Sequence, residues 1–190
     1  MEYFKELKLK DGRTLILRNG TEQDGKAVLE NFNAAHAETD FLLSYPDENS
    51  FTVEQEAEFL KEKTGSANEI EIVAWVDGAA AGTAGIEAIG KKFKVKHRAE
   101  FGISVLKEFW GLGIGRALTE ACIECAEKAG YAQLELSVFA ENERAITLYK
   151  KAGFLEFGRN PKGFYSRNTK KFQELVAMRR DIFPSGSVTV

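Results

Sequence analysis

Three glycines at alternate positions, Gly111, Gly113 and Gly115, separate two segments of different period, and this turn constrains the chain more than any other stretch. Ahead of it, Ala99, Phe101, Ile103 and Val105 alternate with other residues, the period of a strand. Behind it, Leu118, Ala121, Cys122, Cys125, Ala126 and Ala129 recur at the spacing of one helix face. A strand that turns on glycines into a helix presents unpaired N–H groups, and the macrodipole adds about half a positive charge there. Glycines also remove the Cβ atoms that would hold a bulky anion off the main chain. The turn therefore reads as a site for the diphosphate of a cofactor, resting on the N–H groups of Gly111, Leu112, Gly113, Ile114, Gly115 and Arg116.

The glycine spacing narrows the cofactor. A dinucleotide fingerprint needs G-x-G-x-x-G or A. From Gly111 the last position falls on Arg116, and from Gly113 on Leu118. A P-loop needs a lysine after the glycines, and none follows. A second block runs from Asn142 through Ala145 and Tyr149 to Gly153-Phe154. Together the two blocks resemble the GNAT superfamily of N-acetyltransferases, over roughly Ile70 to Phe154. The family loop is Q/R-x-x-G-x-G/A, and here Trp110 stands at the Gln/Arg position ahead of Gly113 and Gly115. The later family block, an Asn followed by a helix that ends in Tyr and a Gly-Phe turn, matches Asn142, Tyr149 and Gly153-Phe154.

The resemblance implies a single α/β (α+β) domain over residues 1–183. Its sheet is mixed, mostly antiparallel and twisted, with flanking helices and two central strands that splay. It implies acetyl-CoA as cosubstrate and a primary amine on a small molecule or peptide as acceptor. Main-chain N–H at the end of the strand before the loop, Ile103-Ser104-Val105, is expected to polarise the thioester carbonyl. One such donor in a dry site contributes ~3 kcal/mol to the transition state. Asn142 is expected both to cap its helix and to touch the cofactor. Tyr149, seven residues on and on the same helix face, is the expected general acid for the leaving thiolate.

The acceptor decides whether a base is needed. Neutralising a lysine-type amine at pH 7 costs roughly 4–5 kcal/mol, whereas a peptide α-amine needs only ~1. Glu100, out of phase with Phe101 and Ile103, is the first candidate, as a carboxylate buried near the splay. Glu135, in the same phase on the neighbouring strand, is the reserve. As in relatives, the helices between Glu22 and Lys63 and the loop Tyr45–Ser50 are expected to line the acceptor side. A non-catalytic acyl-CoA-binding module on the same fold is the competing reading.

Several features bound the answer. The chain has 190 residues and a net charge of −3, which exerts no global pull on nucleic acid or anionic membrane. The run Lys91–Arg98 is basic around Phe93 and Val95, and reads as a solvated hairpin tip rather than a nucleic-acid contact. No apolar stretch reaches a membrane span, and the N-terminus lacks the apolar run of a signal peptide, so a cytoplasmic monomer or homodimer is expected. Cys122 and Cys125 fall mid-helix on the apolar face, where core packing outweighs redox chemistry, and no metal site is expected from them with His36 and His97.

The rest reads in order. Asp11-Gly12 turns a hairpin, and Thr21–Asp24 and Thr52–Gln55 begin two capped helices. Gly82 and Gly85 mark bulges or close approach in a strand, and Gly130 stops the central helix. Phe154–Phe157 and Phe172–Ile182 read as final strands separated by a turn-rich stretch, with residues 184–190 a loose tail.

Overall fold

The computed structural model describes residues 1–182, so the expected tail at 184–190 lies outside the described residues. The elements run β1 (Phe4–Lys8), β2 (Thr14–Asn19), α1 (Gly25–Glu38), α2 (Val53–Gly65), β3 (Ile70–Val76), β4 (Ala79–Ala88), β5 (Arg98–Val105), α3 (Ile114–Lys128), β6 (Gln133–Phe139), α4 (Glu143–Lys151), β7 (Leu155–Ser166) and β8 (Lys171–Asp181). The strands form one sheet of order β1-β2-β3-β4-β5-β6-β8-β7. Every neighbouring pair is antiparallel except β5–β6, which is parallel and joined through α3. Among the described residues no helix is long and apolar enough to cross a membrane.

Local chemistry sets the boundaries as the sequence suggests. Thr52 accepts from the Gln55 N–H, and the Gln55 side chain returns to the Thr52 N–H, so two orphan donors of α2 are satisfied. Ahead of α1, through a short 3₁₀ turn at Glu22–Asp24, the Asp24 carboxylate accepts from both the N–H and the hydroxyl of Thr21. Gly130 takes φ +78° after α3 and ends that helix. Lys91–His97 form the expected connection between β4 and β5, and Arg98, the last residue of the basic run, opens β5.

The core is split by the sheet. One face packs α3 and α4: Leu118, Ala121, Cys122, Cys125 and Ala126 bury fully against Ile70, Ile72, Ile86 and Leu134. Each fully buried large aliphatic side chain there contributes about 1.5–3 kcal/mol. The two cysteines are thus core residues, and burial raises the pKa of both thiols. The other face packs α1 and α2 through Val28, Leu60 and Val73.

The C-terminal strands depart from expectation. The turn-rich stretch around Pro161, Gly163 and Tyr165 is part of a twelve-residue β7. Its pairing with β8 shifts register between Glu156 and Gly158 and between Asn160 and Phe164. β7 pairs only with β8, so it is an edge strand. A proline without an N–H and an irregular ladder are tolerated there, and this hides the strand from a periodicity argument.

Candidate active site

The site begins where two strands part. β5 and β6 pair only through Arg98↔Gln133, Ala99↔Leu134 and Glu100↔Glu135. Beyond that point β5 continues to Val105 against β4, and β6 continues to Phe139 against β8. The ladder parity shows which groups face the gap. The Leu106 N–H donates to the Ala81 carbonyl at 3.0 Å, so the even residues of β5 spend their main-chain groups on β4. The odd ones face β6, as the His97 carbonyl does in accepting from the Ala132 N–H at 2.9 Å. The N–H groups of Ile103 and Val105 therefore open on the gap, while that of Ser104 belongs to the β4 ladder.

The glycine turn follows at once. Gly111 and Gly113 take φ of +85° and +102°, the left-handed region that favours glycine, and Gly113 is the N-cap of α3. A Cβ on either would meet nothing within 4 Å, so backbone conformation rather than crowding selects glycine there. The first N–H of α3 to find a carbonyl is that of Ala117, which donates to Gly113 at 3.0 Å. Those from Gly111 to Arg116 have no hydrogen-bond acceptor among the described residues. This row of donors at a helix start, beside a strand gap, fits a diphosphate and its thioester arm.

Trp110 fills the position that is Gln or Arg in the family loop. Its indole N–H donates to the Val105 carbonyl at 2.7 Å, which fixes the end of β5. The Arg144 guanidinium lies 4.7 Å from the same ring, so the glycine turn and the first turn of α4 meet across the indole. Arg116 is exposed and pairs with Glu120 at 2.7 Å within its own helix. Asn142 caps α4, accepting from the Ala145 N–H at 3.2 Å. Gly115 sits where a Cβ would make ordinary contact with Leu148 of α4.

Tyr149 is buried on α4 at 7% exposure. Its ring meets Phe101 edge-on at 6.0 Å, and Phe101 is the first β5 residue past the last β5–β6 pair. Its hydroxyl has no partner among the described residues, and desolvation raises its pKa. It is a neutral donor held beside the gap.

The opposite face carries the second rim. The segment joining α1 to α2 is tied to the β7–β8 turn through Asp40. Its carboxylate accepts from the Tyr45 hydroxyl at 2.9 Å, the Ser166 hydroxyl at 2.5 Å and the Asn168 amide at 3.0 Å. Arg167 pairs with Asp47 at 2.5 Å and stacks on Tyr45 at 4.1 Å. Phe139, at the far end of β6, stacks on Phe164 at 3.9 Å and lies 5.9 Å from Phe41.

The two carboxylates singled out from the sequence are neighbours, Glu100 opposite Glu135 in the last β5–β6 pair. Glu100 is exposed rather than buried near the splay, on the face opposite to Ala99 and Phe101. Glu135 is held by a bidentate Arg98 fork. His36 is a core histidine: its Nδ1–H donates to the Phe32 carbonyl at 2.8 Å, its ring stacks on Phe32 at 3.8 Å, and burial lowers its pKa. Among the described residues no group of three His, Cys, Asp or Glu side chains is placed to hold a metal ion. The Asp40 hub and the Trp110–Arg144 contact carried no sequence signal, since each joins residues far apart in the chain.

Comparison with known proteins points to one family. The model of the acetyltransferase (GNAT) family matches residues 34–154. An L-amino acid N-acetyltransferase of Escherichia coli is 35% identical over 85 residues, 44% of this chain and 52% of that protein. A ribosomal protein bS18-alanine N-acetyltransferase of Escherichia coli is 46% identical over 56 residues, 30% of this chain and 38% of that protein. The chain thus matches about half or less of the length of these curated relatives. A GNAT-family acetyltransferase from Streptococcus pneumoniae superimposes with a TM-score of 0.84 at 30% identity, covering 88% of this chain and 99% of that one. A Salmonella typhimurium protein solved with acetyl-CoA shares the fold, with a TM-score of 0.81 at 16% identity over 93% and 98% of the two chains.

Proposed function

This chain belongs to the acetyltransferase (GNAT) family, and on that premise we propose that it moves an acetyl group from acetyl-CoA to a primary amine by direct attack in a ternary complex. The observation that carries the reading is the pairing of two donor sets. The N–H groups of Ile103 and Val105 face the β5–β6 gap, and those from Gly111 to Arg116 stand beside it. The first set suits a thioester oxygen and the second a diphosphate. Acetyl-CoA supplies an activated acyl group with a thiol leaving group.

The chain's own residues do the rest. Main-chain donors hold the carbonyl in a gap that neighbouring strands shield from water, where a preorganised donor outweighs one in solution. Tyr149, kept protonated by burial, gives its proton to the departing sulfur. Glu100 marks the mouth of the gap on an exposed surface, where a carboxylate draws a cationic amine. The rim built on Asp40 and Arg167 bounds the acceptor. One curated relative acts on L-amino acids and another on a ribosomal protein alanine, which supports either a small-molecule or a peptide amine.

A binding module on the same fold would need no unpartnered phenol beside the gap, and Tyr149 therefore favours catalysis. Protein, acetyl-CoA and an amine panel (an L-amino acid, an alanine-terminated peptide and a diamine) are mixed while free thiol is followed. Release that depends on one amine class is expected, and Tyr149→Phe lowers kcat about 100-fold while acetyl-CoA affinity stays within two-fold. Acetyl-CoA binding with no release for any amine is the outcome that favours the binding module.

A further inference from the structure

Of the carboxylates suggested by the sequence, Glu100 is exposed and Glu135 is held by Arg98, whereas a third, Glu71, lies half-buried under the helices. Glu71 lies on β3, on the face covered by α1 and α2, in a row that runs Glu71↔Gly85↔Gly102 across three strands. A Cβ at Gly85 would overlap the Glu71 carboxylate, so the side chain lies across β4 in the space that glycine leaves. The next residue in the row, Gly102, would place a Cβ with nothing within 4 Å. The floor between Glu71 and β5 is thus bare of side chains, and Glu71 keeps some accessible surface although packed under the helices. Gly102 lies just past the last β5–β6 pair, where the gap opens. Strands are ~4.8 Å apart, so a carboxylate already over β4 stands ~5–7 Å from the gap, within reach through one water.

We propose that Glu71 is the base that takes the proton from the acceptor amine, along a trough floored by Gly85 and Gly102. This rests on the transferase reading. The amine proton passes to the Glu71 carboxylate, directly or through one water. The freed nitrogen lone pair forms the C–N bond, the C–S bond breaks, and the thiolate takes its proton from Tyr149. The second proton, shed by the newly acylated nitrogen, returns to the Tyr149 oxygen while the first leaves Glu71 for solvent.

The surroundings suit the role. Burial, aided by the neighbouring carboxylates Glu56 and Glu87, pushes the Glu71 pKa up to about 7. The Thr83 hydroxyl and the Lys63 ammonium oppose the shift, and Lys63 is itself engaged by Glu69 at 3.0 Å and Glu87 at 2.6 Å. Glu56 on α2 is buried, with its own pKa raised by desolvation, and across the sheet α3 contributes the buried Cys122 thiol. A base that titrates near neutrality is half ionised at working pH and can still accept a proton.

Glu71→Gln tests the assignment with two small nucleophiles that need little recognition. Methylamine, like a lysine amine with pKa ~10.4, must lose a proton before attack. Hydroxylamine is already unprotonated at neutral pH. We expect acetyl transfer to methylamine to fall about 100-fold in the variant and transfer to hydroxylamine to stay within about three-fold. The wild-type rate with methylamine rises with pH through about 7, because the carboxylate must be ionised, and the variant loses that limb. Its melting temperature should equal or exceed the wild type's, since a carboxylate desolvated more than its neighbours compensate is removed. Equal loss with both nucleophiles, or no loss with either, overturns the assignment. Wild-type protein that binds acetyl-CoA yet acetylates neither nucleophile breaks the transferase reading itself, and the base goes with it.

Discussion

The two rims of the β5–β6 gap are built from different material. On the side of α3 and α4 the cofactor-binding groups are main-chain N–H donors at Ile103, Val105 and Gly111–Arg116, set by ladder parity and by two left-handed glycines. On the side of α1 and α2 the working groups are side chains: Asp40 joining Tyr45, Ser166 and Asn168, Arg167 clasping Asp47, and Glu71 lying over Gly85. On the first rim, cofactor binding depends on backbone conformation, and Tyr149 is the one side chain there given a part in the chemistry. The second depends on particular functional groups, brought together over as many as 128 residues of chain. A rim of the first kind suits a ligand shared by a whole family, and one of the second kind suits an acceptor that differs from member to member.

Substitutions on each rim can break that contrast. Gly113→Val should have the largest effect. A β-branched residue at φ +102° costs about 1–3 kcal/mol and misplaces the first turn of α3. Acetyl-CoA affinity measured by calorimetry is expected to fall about 10- to 100-fold; unchanged affinity would show that the main chain there is not the anion site. Asp40→Ala comes next. It leaves the nearly buried Ser166 hydroxyl and the Tyr45 hydroxyl without their acceptor, at about 1–3 kcal/mol. KM for the acceptor should rise about ten-fold while acetyl-CoA affinity holds, and a fall in affinity for both ligands would mean that the rims are not separate. Arg116→Ala should have the smallest effect. The guanidinium is exposed and occupied by Glu120, so acetyl-CoA affinity is expected to stay within about two-fold. A ten-fold loss would place a side chain among the diphosphate donors.

Much of the first rim is legible in the chain. The change of period across Gly111–Gly115, the Asn142-to-Tyr149 spacing and the Glu100–Glu135 phase are all local patterns, and the structure places each where the pattern puts it. The errors there concern environment rather than position. Glu100 is exposed, and coverage of a strand face is a tertiary matter. Ser104 turns its N–H to β4 because parity is fixed by the β4 register. In the C-terminal strands, Pro161 and the register shifts erase the alternation that identifies a strand, and only pairing with β8 restores it.

By itself the sequence determined the parts governed by neighbours along the chain: the glycine turn, the helix caps, the face of α3 that is buried, and the family to which these blocks point. Periodicity and capping are short-range, so a dozen residues suffice to specify them. Tertiary structure alone decided which carboxylate is desolvated, which N–H groups look into the gap, and that Asp40 meets Ser166. Those outcomes depend on register and coverage between distant strands and helices, where moving one strand by a single residue turns every side chain to the other face.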